Sequence, residues 1–97
     1  MLNPTPPEKL CDRHGQPYFL WDVETTLDVF RSQLVDADPD VRAHAIGKLL
    51  RQARPDDALV LVTLAQIRQE WERVLPYLGN RRAFWTWLVP ELERRAG

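Results

Sequence analysis

The stretch Leu34–Asp57, LVDADPDVRAHAIGKLLRQARPDD, decides the fold. Asp38 suits an N-cap, because its carboxylate can accept the free N–H groups of a first helical turn. Pro39 fits the first helical position, where no N–H is needed, and Asp40 places negative charge at the positive end of the helix dipole. Val41, Ala45, Ile46, Leu49, Leu50 and Ala53 then recur at helical spacing and form one apolar stripe. Arg54-Pro55 marks the stop, since a residue before proline avoids the helical region. Such a stripe must be covered, so the rest of the chain is read as its cover.

Two residues interrupt this pattern. Arg42 falls inside the apolar stripe, and a guanidinium there needs a carboxylate or carbonyls, because an unpaired buried charge is costly. Asp36, Asp38 and Asp40 are the nearest carboxylates in sequence. Gly47 costs a mid-helix position about 1 kcal/mol relative to alanine. With Ala43 it forms a small-residue pair on the side away from the stripe. Two readings stand: a tolerated surface glycine, or a place where another backbone comes close.

Upstream, Thr25 or Thr26 can cap a helix running to about Leu34, with Leu27, Phe30 and Leu34 on its apolar face. So short a connection to the central helix predicts an antiparallel pair. Before it, QPYFLWD at Gln16–Asp22 packs four large residues outside any helical period. Pro17 and the aromatics favour an extended segment lying across the helices, burying alternate side chains as a strap or presenting some to a partner. Met1–Pro7 holds three of the eight prolines and reads as a loose arm. Cys11 and His14 have the C-x-x-H spacing of half a metal site, but Gly15 and Pro17 make a turn the simpler reading.

Downstream, Pro55-Asp56-Asp57 opens a short helix rich in apolar residues. Thr63 and Gln66 have capping-box spacing and start another helix, with Leu64, Ile67, Trp71, Val74, Leu75 and Leu78 as its stripe. Pro76 should kink or end it, Gly79 should stop it, and Asn80 can cap the next. A last helix from Arg81 places Phe84, Trp87, Leu88 and Leu92 on one face, with Trp85 and Val89 beside it. This wide arc means either a helix wedged between neighbours or a surface that includes Trp85.

Ninety-seven residues make one domain with a single small core. A net charge of −1 points neither to nucleic acid nor to a membrane surface. The lone cysteine fits a reducing cytosol, no apolar run reaches a membrane span, and no leader pattern opens the chain, so a cytoplasmic location is expected. Charge is nevertheless uneven. Residues 22–40 carry six carboxylates against Arg31 alone, while residues 41–97 carry ten basic and six acidic side chains. Eleven of the thirteen basic residues are arginine, which suits carboxylate and phosphate pairing. No nucleophile elbow, phosphate loop or zinc-protease motif occurs, and the carboxylates cluster at helix starts where capping explains them. The expectation is a binding protein without enzymatic activity, metal or cofactor.

The pattern D-x-D-P-D-V-R-x-x-A-I-x-x-L at Asp36–Leu49 resembles the second helix of a HEAT-type repeat. That resemblance implies HEAT-like helix pairing, with an aspartate and an arginine holding neighbouring helices together. It has no second copy in the chain.

Three further stretches, P-Y-F-L-W-D (Pro17–Asp22), G-K-L-L-R-Q-A-R-P-D-D (Gly47–Asp57) and L-G-N-R-R-A-F-W-T-W-L (Leu78–Leu88), are similar to small helical bacterial proteins encoded beside AbiEii-type nucleotidyltransferase toxins. The similarity spans roughly residues 17 to 96 and implies an antitoxin that binds and inhibits such a toxin. Two surfaces are open for that contact. The acidic stretch Asp22–Asp40 can cover a basic cleft, or the arginine face of Lys48, Arg51 and Arg54 with Arg81 and Arg82 can pair with acidic residues.

The combined expectation is an all-α, single-domain bundle of about five helices, with residues 1–16 a flexible arm and residues 17–97 the helical domain. Candidate partner-binding residues are Tyr18, Trp21, Asp22, Lys48, Arg51, Arg54, Asp57, Arg81, Arg82 and Trp85. The alternatives are a HEAT-like binder of a nucleic-acid backbone, whose affinity would fall steeply with salt, and a self-associating structural protein, such as a homodimer.

Overall fold

In the computed structural model, which describes residues 3–96, the central helix is α3, Pro39–Gln52. Asp38 caps it by accepting from the Asp40 N–H, and Pro39 sits in its first turn. Helix α2, Leu27–Leu34, is capped by Thr26, whose hydroxyl accepts from the Val29 N–H. It packs on α3 and buries Phe30 and Leu34. The chain is all-α, with seven α-helices and no strand among the described residues beyond an isolated bridge between Cys11 and Pro17.

Helix α3 is buried on more than its stripe: Ala43 and Gly47 are enclosed along with Ala45, Ile46, Leu49 and Leu50. Gly47 is therefore a close-approach glycine, because an added Cβ would run into the Cβ of Tyr77. Arg42 finds carbonyls, those of Asp36 and Ala37 at 2.9 and 3.2 Å. Its carboxylate partner is Glu70, 28 positions away and 2.6 Å distant, not one of the nearby aspartates.

Helix α4, Pro55–Leu61, begins on Pro55 with Asp56 and Asp57 in its first turn. The capping box of Thr63 and Gln66 is formed and starts α5, Leu64–Gln69. The single helix expected here is broken. Glu70 leaves helical geometry (φ −100°, ψ 12°) and separates α5 from the short α6, Trp71–Val74. The break accompanies the bond from Arg42, and Glu70 remains only 7% exposed. Pro76 then lies in a 3-10 turn, Leu75–Tyr77, and Gly79 takes the positive φ of +55° that favours glycine at such a stop.

Helix α7, Arg82–Ala96, follows a 3-10 turn at Gly79–Arg81. It buries Trp85 and Val89, whereas Phe84 and Trp87 are 38% and 59% exposed. The expected face was thus displaced to the adjacent stripe. Both stripes share Leu88 and Leu92, so periodicity alone does not separate them. The deciding contact is the Trp85 indole N–H, which donates to the Leu50 carbonyl at 2.8 Å inside the core.

The segment Pro17–Asp22 lies across the bundle as turns, not as an extended strand. The Leu20 N–H bonds the Pro17 carbonyl, and consecutive Phe19 and Leu20 are both buried. A turn points neighbouring side chains to the same side, which strict alternation forbids. Upstream, the short α1 (Pro7–Leu10) leads into a turn in which the Asp12 carboxylate accepts the His14 and Gln16 N–H groups and Gly15 takes a φ of +80°. The stretch read as a flexible arm has specific contacts from Asn3 onward, to α4; Met1 and Leu2 lie outside the described residues.

Candidate partner-binding face

Most of the candidate residues gather around the C-terminal half of α3. Tyr18, Arg54 and Asp57 form one cluster with Thr5. The Asp57 carboxylate accepts the Tyr18 hydroxyl at 2.5 Å, and both the N–H and hydroxyl of Thr5 at 2.6 Å. The Arg54 backbone N–H donates to the Tyr18 oxygen at 2.9 Å, and its guanidinium donates to the Thr5 hydroxyl and the Asn3 carbonyl. Burial pushes the Asp57 carboxyl up, but the Thr5 and Tyr18 donors and the Arg54 charge together hold it below its ordinary value. Burial and the Asp57 carboxylate raise the Tyr18 hydroxyl. Asp57, Arg54 and Tyr18 are thus engaged in holding the N-terminal strap. Thr5 was missed from sequence because nothing in a proline-rich arm signals a bond 52 positions away.

Asp22 and Lys48 form an ion pair at 2.9 Å, and Gln52 joins Asp22 to the Phe19 carbonyl. The Lys48 ammonium chiefly depresses the Asp22 carboxyl. Trp21 beside them is 72% exposed. On the other flank, Arg81 donates to the Ala53 and Leu50 carbonyls and so satisfies the end of α3. Trp85 is fully buried and is no part of any surface; its place among the partner-binding residues is corrected by its bond to Leu50.

Arg51 and Arg82 remain available. Gly79 lies between them: a Cβ there would stand 3.1 Å from the Arg51 Cδ, and Gly79 and Arg82 line one shallow cavity with Trp87. Both arginines are exposed and neither has a carboxylate partner among the described residues. Arg51, in the last turn of α3, stands at the negative end of that helix's dipole, which favours a cation there. The surface therefore combines Arg51, Arg82 and the exposed indole of Trp87, residue types that anchor protein interfaces. Such a surface can pair with anions and stack against flat apolar groups.

No group of three or more potential metal ligands occurs among the described residues, and no described helix is long and apolar enough to cross a membrane. Comparisons with family models, with curated proteins and with solved structures return no match.

Proposed function

We propose that this chain is a non-catalytic protein-binding module, an antitoxin that occludes a nucleotidyltransferase toxin. The observation that carries the reading is the surface where exposed Arg82 shares a shallow cavity with exposed Trp87 and exposed Arg51 lies against Gly79 on its edge, neither arginine having a carboxylate partner among the described residues. A nucleotidyltransferase needs acidic residues to hold its catalytic metals, and arginine pairs with carboxylates through two parallel bonds. The three stretches that carry the resemblance also meet in space. Gln52 bonds the Phe19 carbonyl, Arg51 packs on Gly79, and Arg81 and Trp85 bond the Leu50 carbonyl. A shared motif set that builds one contiguous unit is what a common binding module requires.

The test is co-expression and co-purification with an AbiEii-type nucleotidyltransferase, followed by calorimetric titration of the wild type and of the Arg51→Glu/Arg82→Glu variant. The variant should keep its melting temperature and bind at least about a hundredfold more weakly, as for interface hot spots. Unchanged affinity would remove this face from the contact. Recovery of nucleic acid that washes off with salt would replace the reading with phosphate-backbone binding.

A further inference from the structure

We propose that the groove between residues 20–25, α2 and α3 receives a basic amphipathic helix from a protein partner. The inference rests on the reading of the chain as a protein-binding module, not on which partner it binds. The groove encloses about 620 Å³. Leu20, Phe30 and Ala45 reach it from the core and give it an apolar floor. Val23 and Val29 on its walls are 42% and 49% exposed, so apolar carbon stands in water there. Glu24 and Asp40 line the same groove, and Lys48, which also lines it, is paired with Asp22.

Glu24 has no cation partner among the described residues, and the lining cation Lys48 does not reach it or Asp40 as an ion pair. Lys48 is neutralised by Asp22 at 2.9 Å, and Arg73 meets Asp40 only at 3.5 Å between two well-exposed groups, a pair that contributes little and is readily displaced. The His44 ring is stacked edge-on against Tyr77 with centroids 5.2 Å apart. An apolar floor under an acidic rim repels phosphates and nucleic acid. It matches a helix with leucine-like residues on one face and lysine or arginine at its margins, the helix-in-groove mode. The groove also adjoins the arginine face: His44, Lys48 and Arg51 follow one another at helical spacing along a single ridge of α3. One partner that offers a basic helix and an acidic patch can engage both.

The experiment titrates isotope-labelled full-length protein with a synthetic leucine–lysine amphipathic peptide about four helical turns long, beside the same peptide with glutamate for lysine. The methyl signals of Val23, Val29 and Ala45 should shift to saturation with the lysine peptide only. Charge reversal at exposed sites, Glu24→Lys/Asp40→Lys, should weaken the lysine peptide about tenfold, with the fold kept and the melting temperature lowered only by the small contribution that the Asp40 charge makes at the start of α3. Shifts that are absent, scattered over the surface or indifferent to that reversal overturn the proposal. So do concentration-dependent shifts of the same methyls without peptide, which would assign the groove to a second copy of the chain. Arg51→Glu/Arg82→Glu leaves peptide binding unchanged, so failure of the groove and failure of the arginine face are read separately.

Discussion

Tyr18 and Asp57, 39 positions apart, are joined by a 2.5 Å hydrogen bond that ties the N-terminal turn to the start of α4. Two bonds from Thr5 complete the carboxylate's partners and bring the N-terminal strap onto the bundle. Nearly all of this carboxylate is withdrawn from water, so its hydration is replaced by three donors. Asp57→Ala should destabilise the protein by about 2–3 kcal/mol, since it leaves Tyr18 and Thr5 without their acceptor, measured by urea unfolding.

The same bond sets a pH dependence. The folded Asp57 pKa is depressed below the ordinary aspartate value, so its stabilising contribution is complete above that value and is lost as pH falls through the folded one. The melting temperature should be level between about pH 7 and 5 and fall below about pH 4, the ordinary carboxylate range. Asp57→Asn should make that acid limb shallower. An equally steep limb in the variant would assign the acid transition to other carboxylates.

Gly47→Ala tests the contact between α3 and Tyr77. Helix propensity alone favours alanine by about 1 kcal/mol. The new Cβ, however, meets the Tyr77 Cβ, a collision that a rotamer change does not relieve. Net destabilisation of about 1–3 kcal/mol is expected from overpacking. Tyr77→Gly in the same chain should remove most of this penalty, which a double-mutant cycle reads directly.

Arg42 and Glu70 join α3 to the break between α5 and α6, with side chains 27% and 8% exposed. Glu70→Ala should cost about 2–4 kcal/mol, because it strands a half-buried guanidinium with carbonyls alone. Replacing both residues with methionine should recover much of that loss. Chemical denaturation of the two singles and the double separates pair energy from burial cost.

The two tryptophans of α7 should differ in how much their loss costs. Trp85→Phe keeps an aromatic ring but loses the donor to the Leu50 carbonyl, at a cost of about 1 kcal/mol or more. Trp87→Ala, at a 59% exposed site, should change stability by about 0.5 kcal/mol or less. If the order were reversed in thermal unfolding, the buried stripe of α7 would be wrongly placed.

Local rules in the amino-acid sequence determined the helix starts and stops. The caps at Asp38 and Thr63 and the stripe of α3 follow from backbone hydrogen bonding and helical period and stand where expected, and Thr26 is the one of the two candidate threonines that caps α2. Tertiary packing alone decided the rest. It chose Trp85 over Trp87, because two neighbouring stripes are equally periodic and only the Leu50 carbonyl tells them apart. It broke one helix at Glu70 beside its bond to Arg42, and it turned Tyr18, Arg54 and Asp57 into a clamp on the strap. Arg54 and Arg81 are bound by distant oxygens, whereas Arg51 and Arg82 keep exposed guanidiniums with no carboxylate partner among the described residues. Such long-range pairings depend on where helices meet in space, and a one-dimensional pattern carries no record of that.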